Sequence, residues 1–167
     1  GDAARRSRRR VLDVGAADGG FCRAAREHGL EPVAVELCER ARKHLDEIGV
    51  EAVEEARDVE ADSIAFARCA EVLEHVADPV GVLRSVARAL APAGRVLVAV
   101  PDARSVARRA AASYWQPRDD ALRPLEHVNG FTPRTLALLA RRAELAVAAR
   151  IRRTRGGGLE AVLERRE

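Results

Sequence analysis

The stretch V-L-D-V-G-A-A-D-G-G-F, residues 11–21, decides how the rest of the chain is read. Val11, Leu12 and Val14 form the short apolar run of a strand buried in a parallel sheet, broken near its carboxyl end by Asp13. Residues 15–20 make a turn of small residues, and a helical pattern follows from 21 to about 28. Strand, small-residue turn and helix open a nucleotide-binding α/β unit, in which a ligand lies against the turn and the first helical amides face it. The glycines stand at Gly15, Gly19 and Gly20, which is not the G-x-G-x-x-G spacing that cradles a pyrophosphate. Asp13, just before the turn, would repel a diphosphate and attract an ammonium.

Outward from this stretch, 167 residues with 47% hydrophobic content suffice for one globular domain, residues 1–167, with a real core. No apolar run approaches the length of a membrane span, and no long apolar segment follows the arginine-rich start, so neither a span nor a signal peptide is expected. Cys22, Cys38 and Cys69 are odd in number and lack C-x-x-C spacing, which predicts free thiols and a cytoplasmic location. The net charge is only +3, and Lys43 is the only lysine. An arginine and alanine bias of this kind matches high-GC coding, so the arginines are a poor argument for nucleic-acid binding. Residues 1–10 are expected to be a basic, frayed lead.

In chain order, strands are predicted over 32–36, 50–53, 63–68 and 95–100, and helices over 39–48 and 79–90. Gly49 stops the first of these helices, and Asp78-Pro79 begins the second. Alternating strands and helices predict a parallel sheet covered on both faces. A helix is expected over 105–113, then a loop over 114–129 holding Tyr114, Trp115 and His127. Thr132-Pro133 caps a last helix ending near 144. Strands over 145–152 and 159–163, joined by Gly156-Gly157-Gly158, read as an edge hairpin. Glu36 falls at the carboxyl end of the second strand, about 20 residues past the turn, where a carboxylate accepts both hydroxyls of a ribose.

The ordered landmarks are D-x-G-x-x-x-G at 13–19, Glu36, E-V-L-E-H-V at 71–76, A-P-A-G-R-V-L-V-A-V-P at 91–101 and H-V-N-G-F-T-P at 127–133. Together they resemble the small class I S-adenosylmethionine (SAM) methyltransferases that include the ubiquinone-pathway O-methyltransferases. Two departures are Ala17, where a glycine is common, and Ala65, where relatives often place an aspartate. The resemblance implies a Rossmann-like α/β fold: seven strands, mostly parallel, with a C-terminal antiparallel hairpin. It implies a SAM site made of Asp13, Gly15, Ala16, Gly19, Glu36, Leu37, Glu55, Ala56, Ala70 and Glu71. Members of this group usually carry one or two helices before the first motif, and ten residues cannot build them.

Methyl transfer to an oxygen of high pKa needs a base or a metal. Glu71, Glu74 and His75 have i, i+3, i+4 spacing and, if the segment is helical, point to one side, with His127 able to approach the same rim from its loop. These four are candidate ligands for a divalent metal such as Mg²⁺. The RNA 3′-terminal 2′-O-methyltransferases, which this motif also resembles, use such a set, whereas other relatives carry E-V-L-E-H-V with no known metal. Glu74, His75 and His127 are equally candidates for catalysis without one. The resulting expectation is O-methylation of a small hydroxylated molecule, such as a sugar, a catechol or a natural product. An RNA 2′-O-methyltransferase, a non-catalytic SAM-binding subunit and an NAD-dependent oxidoreductase stand as alternatives. Oligomeric state is left open.

Overall fold

β1 (Arg10–Val14) is buried at every residue, because a strand with parallel neighbours and both faces covered has no solvent side. In this computed structural model, which describes residues 9–104, 107, 111 and 126–166, β1 lies between β2 (Glu31–Val35) and β4 (Ile64–Ala70). β3 (Glu51–Val53) forms one edge beyond β2. Beyond β4 come β5 (Leu90–Pro101), β8 (Gly158–Arg165) and β6 (Leu145–Val147), with β7 (Arg152–Arg153) also paired to β8. The first five strands are parallel, while β8 runs antiparallel to β5, and β6 and β7 antiparallel to β8.

α1 (Gly20–Glu27) and α2 (Glu39–Glu47) bury Cys22 and Leu45 in a small cluster with Ala16, Ala34 and Val50. α3 (Pro79–Ala89) and α4 (Pro133–Arg142) bury Leu83, Val86, Leu136 and Ala140 in the larger core, against Leu12, Val14, Val33 and Val98. Alternation along each strand sends these residues to opposite faces, which is why the sheet separates two cores. Both long crossover helices start as their sequences predict. The Asp78 carboxylate accepts the Gly81 amide at 2.9 Å, the Thr132 hydroxyl accepts the Thr135 amide at 3.2 Å, and a proline follows each cap. Burial also pushes the Cys22 and Cys69 thiols up, to about 11 and about 12, so both stay protonated and inert. Among the described residues no helix is long and apolar enough to cross a membrane.

Three expectations change. Among the described residues the sheet has eight strands, because the strand predicted over 145–152 splits into β6 and β7. Val147 pairs with Leu163 and Arg152 with Glu160, so five steps on one side face three on the other, and a bulge takes up the difference. β5 begins at Leu90, ahead of the predicted 95, because Leu90 already pairs with Ile64 and a second bulge absorbs the Ala-Pro-Ala-Gly segment. The basic lead is also not frayed throughout. Arg10 is the first residue of β1, only 5% exposed, and its guanidinium is held by Glu51 and Glu60. The helix expected over 105–113 and the loop residues Tyr114 and Trp115 lie outside the described residues, apart from 107 and 111.

Leu163 sits fully buried on β8, between β5 and β6, whereas Leu138 on α4 is 38% exposed. Leu163→Ala should lower unfolding stability by about 2–5 kcal/mol, and Leu138→Ala by less than about 1 kcal/mol. Urea denaturation of the two variants checks the ordering. Equal losses would show that β8 is not a central strand.

Candidate functional site

The turn after β1 is tight because other parts of the chain crowd it. The Gly15 and Ala16 amides both donate to the Val35 carbonyl, at 2.8 and 3.2 Å, which folds the turn back over the end of β2. Gly15 has φ +76°, and a Cβ there would stand 2.6 Å from a Val72 methyl; at Gly19, with φ +77°, it would stand 2.7 Å from a Leu45 methyl. The demand for small residues therefore comes from packing against Val72 and Leu45 and not from a ligand alone. Ala17 adopts a left-handed φ of 48°. Its amide donates to the Glu36 carboxylate at 2.9 Å, which holds it there.

Glu36 is the hinge of the site. One oxygen accepts the Ala17 amide and the other the Cys38 amide, both at 2.9 Å. Arg42, one turn into α2, braces the same strand end by donating to the Glu36 and Leu37 carbonyls at 2.7 Å and to the Glu54 carboxylate at 3.2 Å. No sequence signal marked Arg42. The braced strand end borders a cleft of about 350 Å³ walled by Gly15, Glu36, Leu37, Glu55, Ala56, Val72, Val76 and Val82. Leu37 is 67% exposed at its mouth. Glu55 reaches the cleft, but its carboxylate is paired with Arg57 at 2.6 Å. Five of the ten residues expected to hold SAM thus wall this cleft: Gly15, Glu36, Leu37, Glu55 and Ala56.

The other five lie beside or beneath it. Ala16 is buried in the smaller core, Gly19 forms the N-cap of α1, and Ala70 ends β4 half-buried. Asp13 is completely buried one residue before the end of β1, in register with Arg68 of β4. Arg68 Nη1 donates to Asp13 Oδ1 at 2.8 Å, while Oδ2 has no partner. Burial raises the Asp13 carboxyl above its ordinary value, against the opposing pull of Arg68.

Glu71 marks the start of the second cluster, and the segment is not the helix that would put Glu71, Glu74 and His75 on one side. Glu71 is exposed with φ +57°, and residues 71–78 form turns. A helix would satisfy the carbonyls of this segment internally, but here the loop before α4 does so. The Val128 and Asn129 amides both donate to the Glu74 carbonyl, at 2.8 and 3.1 Å. The Asn129 side-chain amide donates to the carbonyls of Leu73 and Val76, at 3.0 and 2.6 Å. Asn129 is thus a positioning residue that spacing did not single out, although it stands inside the H-V-N-G-F-T-P landmark.

This clamp draws Glu74, His75 and His127 together. One ligand atom from each lies within 4.8 Å of the others, and the two imidazole rings meet edge-on with centroids 4.5 Å apart. Of the four residues read from the sequence, Glu71 is the one that lies outside this trio. It stays near enough to matter electrostatically. Burial pushes the Glu74 carboxyl from 4.5 up to about 7; a backbone hydrogen bond opposes the rise and the Glu71 charge adds to it. Glu74 is 1% exposed, and only its own backbone amide and the Glu71 side chain come near its carboxylate as hydrogen-bonding groups, neither in good geometry. His75 Nδ1 lies 2.9 Å from the Glu126 carbonyl, which can only accept, so Nδ1 carries the proton. Nε2 then presents its lone pair, 4.0 Å from Glu74 Oε1. A buried carboxylate this short of donors beside an imidazole lone pair fits a divalent cation.

Residues 2–149 match the family described as methyltransferase domain. Ubiquinone biosynthesis O-methyltransferases from Idiomarina loihiensis and Bordetella avium are 35% and 37% identical over 98 residues. Each alignment spans 53% of this chain, and 40% and 41% of the respective relative. Among solved structures, the PH0226 protein of Pyrococcus horikoshii superposes with a TM-score of 0.75 at 20% identity, covering 94% of this chain and 82% of that one. A SAM-dependent methyltransferase of Mesorhizobium loti superposes with a TM-score of 0.70 at 18% identity, covering 93% and 90%. With a family match over most of its length, this sheet order and a glycine turn closed by Glu36, the chain belongs to the methyltransferase domain family and has the class I SAM methyltransferase fold.

Proposed function

We propose that the chain is a SAM-dependent O-methyltransferase of small hydroxylated acceptors, catechols and other vicinal diols foremost, assisted by a divalent ion held by Glu74, His75 and His127. The observation that carries this reading is one turn serving two neighbouring sites. Val72 and Val76 wall the cleft beside Glu36, and between them the same turn presents Glu74 and His75. The O-methyltransferase names of the sequence relatives support an oxygen acceptor.

SAM supplies a sulfonium methyl that is already activated, so the chain has to hold the two reactants in line and manage one proton. Each Glu36 oxygen accepts one backbone amide and keeps a second acceptor direction, enough for the two hydroxyls of a ribose. Exposed Leu37 offers an apolar surface for a purine. On the acceptor side, a divalent ion would supply Lewis acidity that lowers the pKa of the acceptor hydroxyl. A diol or catechol brings two oxygens to such a site. His75, with Nδ1–H fixed on the Glu126 carbonyl, has only Nε2 to offer such an ion, so the acceptor proton would leave to bulk water. The oxygen lone pair then forms the new bond to the methyl carbon as the carbon–sulfur bond breaks, leaving S-adenosylhomocysteine.

Three outcomes follow. Glu36→Ala should weaken SAM binding by about 1.5–3 kcal/mol, since it removes hydrogen bonds to a charged acceptor; unchanged affinity in calorimetry would mean that Glu36 does not hold the ribose. On a panel of catechols, sugars and short RNAs, methylation of catechols should stop with EDTA, return with Mg²⁺, and be absent in Glu74→Ala. Full EDTA resistance with an active Glu74→Ala enzyme would remove the metal and leave a general-base methyltransferase. The third concerns pH. A carboxyl whose folded pKa is about 7 against an ordinary 4.5 binds more protons when folded, so its contribution is fully present below 4.5 and is lost as pH rises toward 7. The metal-free protein should therefore melt at lower temperature as pH rises across this window, Glu74→Gln should flatten the decline, and Mg²⁺ should reverse it. A slope unaffected by Glu74→Gln would contradict the assignment.

A further inference from the structure

Arginine recurs throughout this chain, and at several places it is neutralised nearby: Arg42, Arg57, Arg95 and Arg165 each face a carboxylate. One place breaks that pattern. A groove of about 980 Å³ lies between the end of β5, the start of α4 and β7, and Arg104, Arg150, Arg152 and Arg153 all line it. One buried acid stands among these four cations. Asp102 is 1% exposed, and it accepts Arg153 Nε on Oδ2 at 2.8 Å and the Arg104 amide on Oδ1 at 3.0 Å. Arg150 and Arg152 are exposed and have no ion-pair partner among the described residues. Glu160 stands across from Arg152 in the β7–β8 register and makes no ion pair with it.

The groove is not polar throughout. Pro133 and Ile151 also line it, and Ile151 packs against the larger core. An apolar floor under a cationic rim fits an organic anion, whose body covers the floor while its charge meets guanidinium forks that bind carboxylate or phosphate through two parallel N–H groups. Pro133 is the first residue of α4, so the positive end of that helix adds to the same field. A nucleic-acid backbone needs charge spread along a face, whereas these arginines converge on one groove. The groove is also joined to the trio of Glu74, His75 and His127 by one short segment. Its Val128 and Asn129 amides donate to the Glu74 carbonyl, its Phe131 carbonyl accepts the Ala103 amide at 2.7 Å, and its Pro133 reaches the groove. Six residues, from His127 to Pro133, span at most about 22 Å, so one elongated molecule can touch both places.

We propose that this groove binds an organic anion through Arg104, Arg150 and Arg152, and that the anion is the carboxylate or phosphate end of the methyl acceptor. The second half rests on the reading of Glu74, His75 and His127 as the acceptor site. Arg153, tied to Asp102, is a positioning residue that holds β7 against the end of β5. The acceptor is then an amphipathic molecule with hydroxyls at one end and a negative charge at the other. The arginines stand away from the reacting atoms, so they act on KM and not on kcat.

The test uses catechols tethered to a carboxylate or to a phosphate monoester, each matched by a neutral methyl ester or alcohol of the same tether length. With the whole chain, SAM and Mg²⁺, the anionic member at the fitting length should show a KM about fivefold or more below that of its neutral match, and the advantage should shrink as salt rises. The double variant Arg150→Gln/Arg152→Gln should bring the two KM values within about twofold of each other and keep its melting temperature, since both side chains are exposed. The larger gain, carboxylate or phosphate, names the group. No advantage at any length in the wild type, or an advantage that the double variant keeps, would overturn the acceptor assignment. Calorimetry with 3-phenylpropanoate and phenyl phosphate tests the groove without methyl transfer. Binding by the wild type that the double variant loses would uphold the anion site even where no catechol is methylated, and only the diol reading would then fall. Binding to neither protein, or to both alike, would overturn the anion site itself.

Discussion

The two oxygens of Glu36 hold the candidate site in shape. One takes the amide of Ala17, which stands in a left-handed conformation, and the other takes the amide of Cys38 at the entry to α2. Without that carboxylate the turn after β1 and the exit from β2 would carry amides with no common acceptor. The braces around it follow from the same need. Arg42 holds the carbonyls of Glu36 and Leu37, and the Val35 carbonyl takes two amides of the turn. The cleft opens where this network leaves a gap at the carboxyl ends of the parallel strands, the usual place for a ligand in an open α/β sheet.

Two carboxylates on this rim are buried and short of hydrogen-bond donors, Asp13 under the turn and Glu74 under the histidines. Each is costly to keep, since a buried polar group without a partner destabilises the fold. Both stand just where strands end and chemistry would occur. A sequence selected for stability alone would replace them with apolar residues. Their presence is explained if ligands complete them, an ammonium at Asp13 and a metal ion at Glu74.

Much of this was legible in the amino-acid sequence, for identifiable reasons. The strands at 32–36 and 95–100 and the helix caps at Asp78 and Thr132 depend on local chemistry, which sequence records directly. The walls of the cleft were also legible, because strand-end acids and glycine turns sit at fixed offsets from their strands. Whether the E-V-L-E-H-V segment is a helix was not legible, because its carbonyls are satisfied by Asn129, more than fifty residues away, and periodicity carries no information about such a partner. Arg42 and Arg68 escaped notice for a similar reason. In a chain this rich in arginine, only the register that sets Arg68 opposite Asp13 distinguishes one from the rest. The split of the last hairpin into β6 and β7 depends on a bulge that no turn residue announces.

The central claim is that the cleft beside Glu36 takes a SAM nucleoside and not a dinucleotide. Isothermal titration of the chain with SAM, and separately with NAD, tests it most directly. The account predicts saturable binding of one SAM per chain and no measurable heat from NAD at the same concentrations. Saturable NAD binding with no response to SAM would contradict it.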